Sequence, residues 1–218
     1  MKSVSTSQKS SSFATLRRFA QKRTNLETCE LCSHALPSEH QHLLELTARK
    51  LICACDACAI LFSGTASPKY RRVPRQVRFL SDFQMTEGQW DGLMIPIEMA
   101  FLFSSTPHGK VVAFYPSPAG ATESLLSLET WNDVVNENPM LAGMEPDVEA
   151  LLVNRVGAGR GVKPQFFIVP VDECYKLVGL IRMHWRGLSG GTEVWREVGQ
   201  FFADLKKRAG VMDGEPDA

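Results

Sequence analysis

Two Cys-x-x-Cys pairs constrain this chain more than any other feature of its sequence. The first pair is Cys29 and Cys32, the second is Cys55 and Cys58, and 22 residues separate them. Each pair is expected to form a tight turn that presents two sulfurs to one metal ion, and two such turns complete a tetrahedron. The intervening loop is slightly longer than the roughly 15–20 residues typical of such sites. The sequence therefore predicts a four-thiolate metal centre with these four cysteines as ligands.

Other potential ligands lie inside this stretch, so the composition of the coordination shell stays open at this level. Cys53 could replace one member of the second pair, although the Cys-x-x-Cys spacing favours Cys55 and Cys58. Three histidines could each replace a thiolate: His34, His40 and His42.

The nature of the metal is predicted from the size of the module and from its local sequence. A module of about 40 residues has too little core to fold without a staple, and tetrahedral thiolates suit a structural Zn²⁺. The same thiolates could instead bind iron as in rubredoxin and carry an electron. Rubredoxin turns usually place glycine after the second cysteine, so that backbone amides can reach the sulfurs. Ser33 and Ala59 stand at those positions here, and this difference favours zinc over iron.

The remaining sequence predicts one larger domain beside the metal module. With 218 residues, the chain can hold one sizeable core and a small satellite. We divide it into residues 1–24, a disordered tail with a short basic helix; 25–66, the four-cysteine metal-binding module; 67–76, a basic, proline-containing linker; 77–209, an α+β domain; and 210–218, a loose tail.

The periodicity of the larger domain indicates an antiparallel sheet packed with helices. Apolar runs at 97–103 and 110–115 flank a short turn and predict a hairpin. A further strand is expected at 165–169, and Asp172 and Thr192 are expected to cap two amphipathic helices. The predicted fold class is α+β, with an N-terminal zinc-ribbon-like or treble-clef-like module followed by this sheet.

Charge is distributed unevenly although the formal net charge is zero. Residues 1–75 carry a net +7 and residues 76–218 a net −7. Opposite charges can help the two parts dock, and a basic end can also bind an acidic protein or a nucleic acid. In the latter case Tyr70 would stack on a base between neighbouring arginines. The acidic main domain and the lack of a basic recognition helix after Cys58 weaken the nucleic-acid interpretation.

The sequence also indicates a compartment. It has no run of about 18 apolar residues and no apolar core at its N-terminus, so we expect neither a membrane span nor a secretory signal. Six cysteines without an export signal indicate a reducing compartment, where clustered cysteines more often bind metal than form disulfides. We therefore expect a cytoplasmic protein.

Six stretches of the chain together carry a family resemblance: 29–32, 40–43, 53–58, 115–124, 146–152 and 185–191. They resemble an uncharacterised bacterial family whose members are similar to accessory proteins encoded beside uptake nickel–iron hydrogenase genes. The resemblance covers roughly residues 25–208. It implies a role in hydrogenase assembly or with the electron-transfer partners of hydrogenase, and it assigns no catalytic residue.

These observations favour a non-enzymatic accessory protein over an enzyme. No Ser/His/Asp or Cys/His spacing in the sequence implies catalysis. The expected partner is a hydrogenase subunit or a related metalloprotein, contacted through loops at 115–124 and 187–191. Two alternatives remain open: a rubredoxin-like iron electron carrier and a nucleic-acid-binding zinc protein.

Overall fold

The computed structural model describes residues 27–64, 69–124 and 128–210. The predicted N-terminal tail and basic helix at 1–24 lie outside the described residues. Of the predicted loose tail at 210–218, Gly210 ends the last helix and residues 211–218 lie outside the described residues. The described chain is of mixed α+β class with two antiparallel sheets, as the sequence predicts.

The first sheet has three strands in the order β2-β1-β3. Its elements, with the helix that follows the second strand, are β1 (Gln41–Glu45), β2 (Lys50–Ala54), α1 (Asp56–Ser63) and β3 (Tyr70–Arg72).

The second sheet has six strands in the order β4-β9-β8-β5-β6-β7, all antiparallel. Its strands are β4 (Arg78–Phe79), β5 (Met99–Ser105), β6 (Lys110–Ser117), β7 (Gly120–Ser124), β8 (Glu149–Asn154) and β9 (Gln165–Pro170). Its helices are α2 (Glu87–Gly92), α3 (Leu128–Glu137), α4 (Val171–His184) and α5 (Gly191–Gly210). Short 3₁₀ turns span Thr106–His108, Pro139–Gly143 and Ala158–Arg160.

Helices cover both faces of the six-stranded sheet, which explains the near-continuous apolar runs of its central strands. Along β5, Phe101 and Phe103 belong to the core beneath α4 and α5, whereas Ala100 and Leu102 belong to the core beneath α2 and α3. This alternation is the period of two expected of a strand. The sheet and the helices on its two faces therefore form a three-layer domain with two hydrophobic cores.

The first sheet also has two buried faces. Leu43 and its register partner Ile52 pack in a small core with the cysteines of the module. Leu44 and its partner Leu51 point the other way and pack against the core under α4 and α5. The hairpin therefore joins the module to the larger domain. One of its faces packs on the core with the cysteines, and the other packs on the core of the larger domain.

Two stretches differ from the sequence-based expectation. The stretch predicted as a linker, 67–76, contains β3, which pairs with β1 because the exposed backbone edge of β1 accepts a third strand. The stretch predicted as a loop, 115–124, is instead the end of β6 and all of β7, joined by a tight turn. At that turn the hydroxyl of Ser117 donates to the carbonyl oxygen of Gly120 at 2.9 Å, and Gly120 adopts a φ of 131°. This φ favours glycine.

Within the described ranges, no helix combines the length and the apolar composition needed to cross a membrane.

Candidate metal centre

The structure brings the four predicted cysteines together. Their Sγ atoms all lie within 4.8 Å of one another, and those of Cys32 and Cys55 are 3.7 Å apart. Tetrahedral Zn–S bonds of about 2.3 Å would place the sulfurs ~3.8 Å apart. The cluster therefore has the dimensions of a four-thiolate site for one ion.

The second pair of cysteines begins a helix. Cys55 precedes α1 with extended backbone, and Cys58 lies in the first turn of that helix. Cys58 is buried whereas Cys55 is half-buried, so the helix start places one sulfur inside and one near the surface.

The first pair lies in a turn before β1, and Glu30 attaches this turn to β2. The backbone N–H of Glu30 donates to the carbonyl oxygen of Cys53 at 2.9 Å, and the Glu30 carboxylate accepts from the Cys53 N–H at 3.1 Å. Lys50 donates to the same carboxylate, and this hydrogen bond lowers the pKa of Glu30. These contacts hold the turn of the first cysteine pair against the strand that leads to the second pair.

Backbone amides prepare the first turn for a thiolate. Burial alone would raise the pKa of Cys29, but three backbone N–H groups donate to its sulfur and lower that pKa to about 6. The donors are Cys55, Leu31 and Cys32. The net shift has the opposite sign at Cys58, where burial and the neighbouring thiols raise the pKa to about 12. A metal ion is the natural partner of four thiols held this closely, because it binds all four as thiolates.

The missing glycines favour zinc in the sequence, but the first turn does not need glycine for an amide to reach a sulfur. Ser33 adopts a φ of 63°, the left-handed conformation that glycine favours, and the backbone N–H of His34 donates to the sulfur of Cys32. In the second turn Ala59 is already part of α1. An amide therefore reaches a sulfur of the first turn without glycine, and the missing glycines do not discriminate between zinc and iron.

The residues proposed as replacement ligands do not join the four sulfurs. His40, His42 and Cys53 form a separate group in which one ligand atom from each residue lies within 4.8 Å of the others. Strand alternation explains the separation, because His42 and Cys53 are register partners on the face of the hairpin opposite Leu43 and Ile52. His34 lies beside Cys32 and Cys55, in the wall of a shallow cavity.

The sequence assigns one polar residue of this region only a capping role. It predicts that Asp172 caps α4, but the helix begins at Val171 with Pro170 at its N-cap, so Asp172 lies within the first turn. The Oδ2 of Asp172 lies 2.7 Å from Nδ1 of His42 instead. No sequence signal connects the two residues, because they are 130 positions apart.

The basic residues around Tyr70 make contacts within the chain. Arg72 donates to the side chain of Gln41 at 3.0 Å, and Arg71 donates to the carbonyl oxygen of Pro146 at 3.1 Å. Arg71 also lies 3.6 Å from the carboxylate of Asp147. These contacts account for two of the arginines in the predicted nucleic-acid surface, and nucleic-acid binding stays a prediction from the sequence.

Residues 28–209 match a family model described as "Family of unknown function (DUF5947)". The chain belongs to this family, because the match covers most of its length. No curated protein and no solved structure gives a significant match. The family agrees with the resemblance to an uncharacterised family, whereas the connection to hydrogenases stays a prediction.

Proposed function

We propose that this member of the DUF5947 family is a zinc-stabilised accessory protein that acts by binding another protein. The observation that carries the proposal is the convergence of four cysteine sulfurs within 4.8 Å. Among the described residues, the core around the four cysteines contains seven buried residues, and two of these are Cys29 and Cys58 themselves. Apolar burial on this scale does not hold a module together, so a bound ion supplies the missing stabilisation.

The arrangement of the ligands supports a structural zinc site. One pair of cysteines lies in a turn, a β-hairpin follows, and the second pair begins a helix. This order is that of a treble-clef-like module, and closed four-cysteine sites of this kind are typically structural zinc sites.

A rubredoxin-like iron electron carrier is the second candidate, and a specific observation favours it. Backbone amides donate to the sulfurs of Cys29 and Cys32, as in an iron–thiolate centre tuned by hydrogen bonds. Cys32 is also exposed, which gives electrons a short route to the surface.

We propose that the protein partner binds on α1. Ile60 and Leu61 are each 69% exposed on this helix, directly after the second pair of cysteines. Adjacent large apolar side chains in solvent are typical of interaction surfaces. Leu188, in the segment predicted from the sequence as a contact, is fully exposed as well. By resemblance, the partner is a hydrogenase subunit or a related metalloprotein, and the proposed location is the cytoplasm, where thiols stay reduced.

Metal analysis and a visible spectrum of natively purified protein test the identity of the ion. Zinc without absorption bands supports the proposal, and C55S is expected to lose that zinc. Iron with sulfur-to-iron charge-transfer bands would contradict the structural-zinc proposal and support the electron-carrier function.

Affinity purification tests the partner. Tagged protein from cells that express a nickel–iron hydrogenase should enrich hydrogenase subunits, and the double variant I60D/L61D should lose them. The matched control is M183D, because Met183 is 65% exposed on α4, outside the proposed surface. If wild-type protein enriches no hydrogenase subunit, the proposed partner is wrong.

A further inference from the structure

A second group of metal-ligand side chains lies on the hairpin face opposite the four-cysteine core. It consists of His40, His42 and Cys53, with one ligand atom of each residue within 4.8 Å of the others. The rings of His40 and His42 meet edge to face, with centroids 4.9 Å apart. These ligand atoms form a group separate from the four sulfurs, although Cys53 also packs against the core of the module.

His40 presents a buried nitrogen with a free lone pair. Its side chain is only 6% exposed, and its Nδ1 lies 3.0 Å from the carbonyl oxygen of Pro37, to which it can only donate. The proton is thereby held on Nδ1, and Nε2 is left as an acceptor. Among the residues that the structure describes, nothing donates to this buried Nε2. A buried acceptor without a partner is costly unless a ligand satisfies it.

His42 is held in the same tautomer by a carboxylate. Its Nδ1 lies 2.7 Å from Oδ2 of Asp172 in the first turn of α4. The hydrogen bond places the proton of a neutral imidazole on Nδ1 and leaves Nε2 free. Metal-binding histidines characteristically donate their second nitrogen to a carboxylate or a backbone carbonyl in this way. His40 and His42 show one instance of each.

We infer that His40, His42 and Cys53 bind a second divalent transition-metal ion. Both imidazoles coordinate through Nε2, and Cys53 coordinates as a thiolate. Two nitrogens and one sulfur suit Zn²⁺ or Co²⁺ and do not suit Mg²⁺ or Ca²⁺, which prefer oxygen. Asp172 is a positioning residue, because it acts on the ion through the ring of His42.

The second site differs from the first in its ligand number. Three protein ligands leave a fourth tetrahedral position to water or a small exogenous ligand, which is the arrangement of exchangeable and catalytic zinc sites. The three residues and Asp172 line a cavity of about 630 Å³. The cavity wall also carries Lys176 and Arg208, both paired with the buried carboxylate of Glu173 at 2.9 and 3.0 Å. An ion bound here is reached from this cavity and is not enclosed by protein.

Metal stoichiometry of the full chain tests this inference. Metal-free wild-type protein titrated with Zn²⁺, and in parallel with Co²⁺, should bind two equivalents. Each of the variants H40A, H42A and C53S should bind one equivalent and keep the intense thiolate-to-cobalt bands of the four-cysteine site. The matched control is H184A, because His184 is a histidine of α4 that pairs with Glu193 outside the cluster. It should keep both equivalents.

A measurement on unmodified protein guards against variants that fail to fold. In ¹⁵N spectra of the imidazoles, the second equivalent of Zn²⁺ should shift the Nε2 resonances of His40 and His42 and leave both Nδ1 atoms protonated. Wild-type binding of one equivalent only, or Nε2 resonances that the second equivalent does not move, would overturn the inference. The four-cysteine proposal stands apart from this test, since its ion is lost in C55S and kept in C53S.

Discussion

Nδ1 of His42 and Oδ2 of Asp172 lie 2.7 Å apart, although 130 positions separate the two residues in the chain. The first belongs to the hairpin of the metal module and the second to the first turn of α4 in the larger domain. This hydrogen bond ties the two parts of the protein together. It also holds His42 in the tautomer that a metal ligand needs.

Asp172→Asn is expected to weaken Zn²⁺ binding at the second site by about 10–100-fold. The amide keeps the shape of the side chain but loses the negative charge that holds the Nδ1 proton of His42. Competition with a chromophoric chelator measures both sites in one titration, and the affinity of the four-cysteine site should not change. The matched control is Asp204→Asn, an exposed carboxylate on α5 that bonds Gln200. Equal second-site affinities in D172N and D204N would contradict the role given to Asp172.

Cys55→Ser is expected to unfold the metal module while the six-stranded sheet stays folded. Structural zinc in small modules contributes about 10–16 kcal/mol of apparent binding free energy, and the seven-residue core cannot replace it. Limited proteolysis read by mass spectrometry should show new cleavage within residues 27–64. His184→Ala is the control, since His184 lies on α4 outside the module, and it should keep the wild-type cleavage pattern. Protection of the module in C55S would show that it folds without the ion.

Tyr175→Phe is expected to reduce the loss of stability at alkaline pH. Burial raises the pKa of Tyr175 above the ordinary value of about 10, so the folded state holds this proton more tightly than the unfolded state. The resulting stabilisation is fully present below pH ~10 and is lost as the pH rises through the folded-state pKa. The buried thiol of Cys174 acts in the same direction, since burial raises its pKa too.

Urea unfolding between about pH 8 and 11 measures this effect. The free energy of unfolding should fall less steeply with pH in Y175F than in the wild type. Y115F controls for the loss of a phenol elsewhere. If the free energy of unfolding depends on pH identically in Y175F and the wild type, the pKa of Tyr175 does not differ between the folded and unfolded states.

Gly190→Ala is expected to destabilise the turn between α4 and α5 by about 1–3 kcal/mol. Gly190 has a φ of 86°, and an added Cβ would lie 2.8 Å from Val194 and 3.1 Å from the ring of Trp185. Gly179→Ala is a matched control within α4, because the Cβ it would add has no described neighbour within 4 Å apart from the adjoining residues and the backbone of its own helix. That change should stabilise the helix by about 0.5–1 kcal/mol. Chemical denaturation compares the two, and equal effects would refute the steric argument.

Spacing and alternation in the sequence determined the features that depend on neighbouring residues. Two Cys-x-x-Cys turns bring sulfurs together because each turn is local and one hairpin closes the gap between them. The hairpin of β5 and β6 and the amphipathic helices followed from apolar periodicity in the same way. The pairing of β3 with β1 did not follow from periodicity, because a short basic segment forms a strand only where the edge of β1 is available to pair with it.

The tertiary structure alone decided the chemistry around the hairpin. The sequence shows His40, His42 and Cys53 as possible substitutes at the four-cysteine site, since all lie between or beside its ligands. The register of the hairpin separates their ligand atoms from the four sulfurs, because side chains alternate along β1 and β2. Docking α4 against the hairpin then brought Asp172 to His42. By itself the sequence determined that four cysteines form one cluster. The register of the hairpin separated His40, His42 and Cys53 from that cluster, and only long-range packing, which local spacing does not encode, brought Asp172 to them.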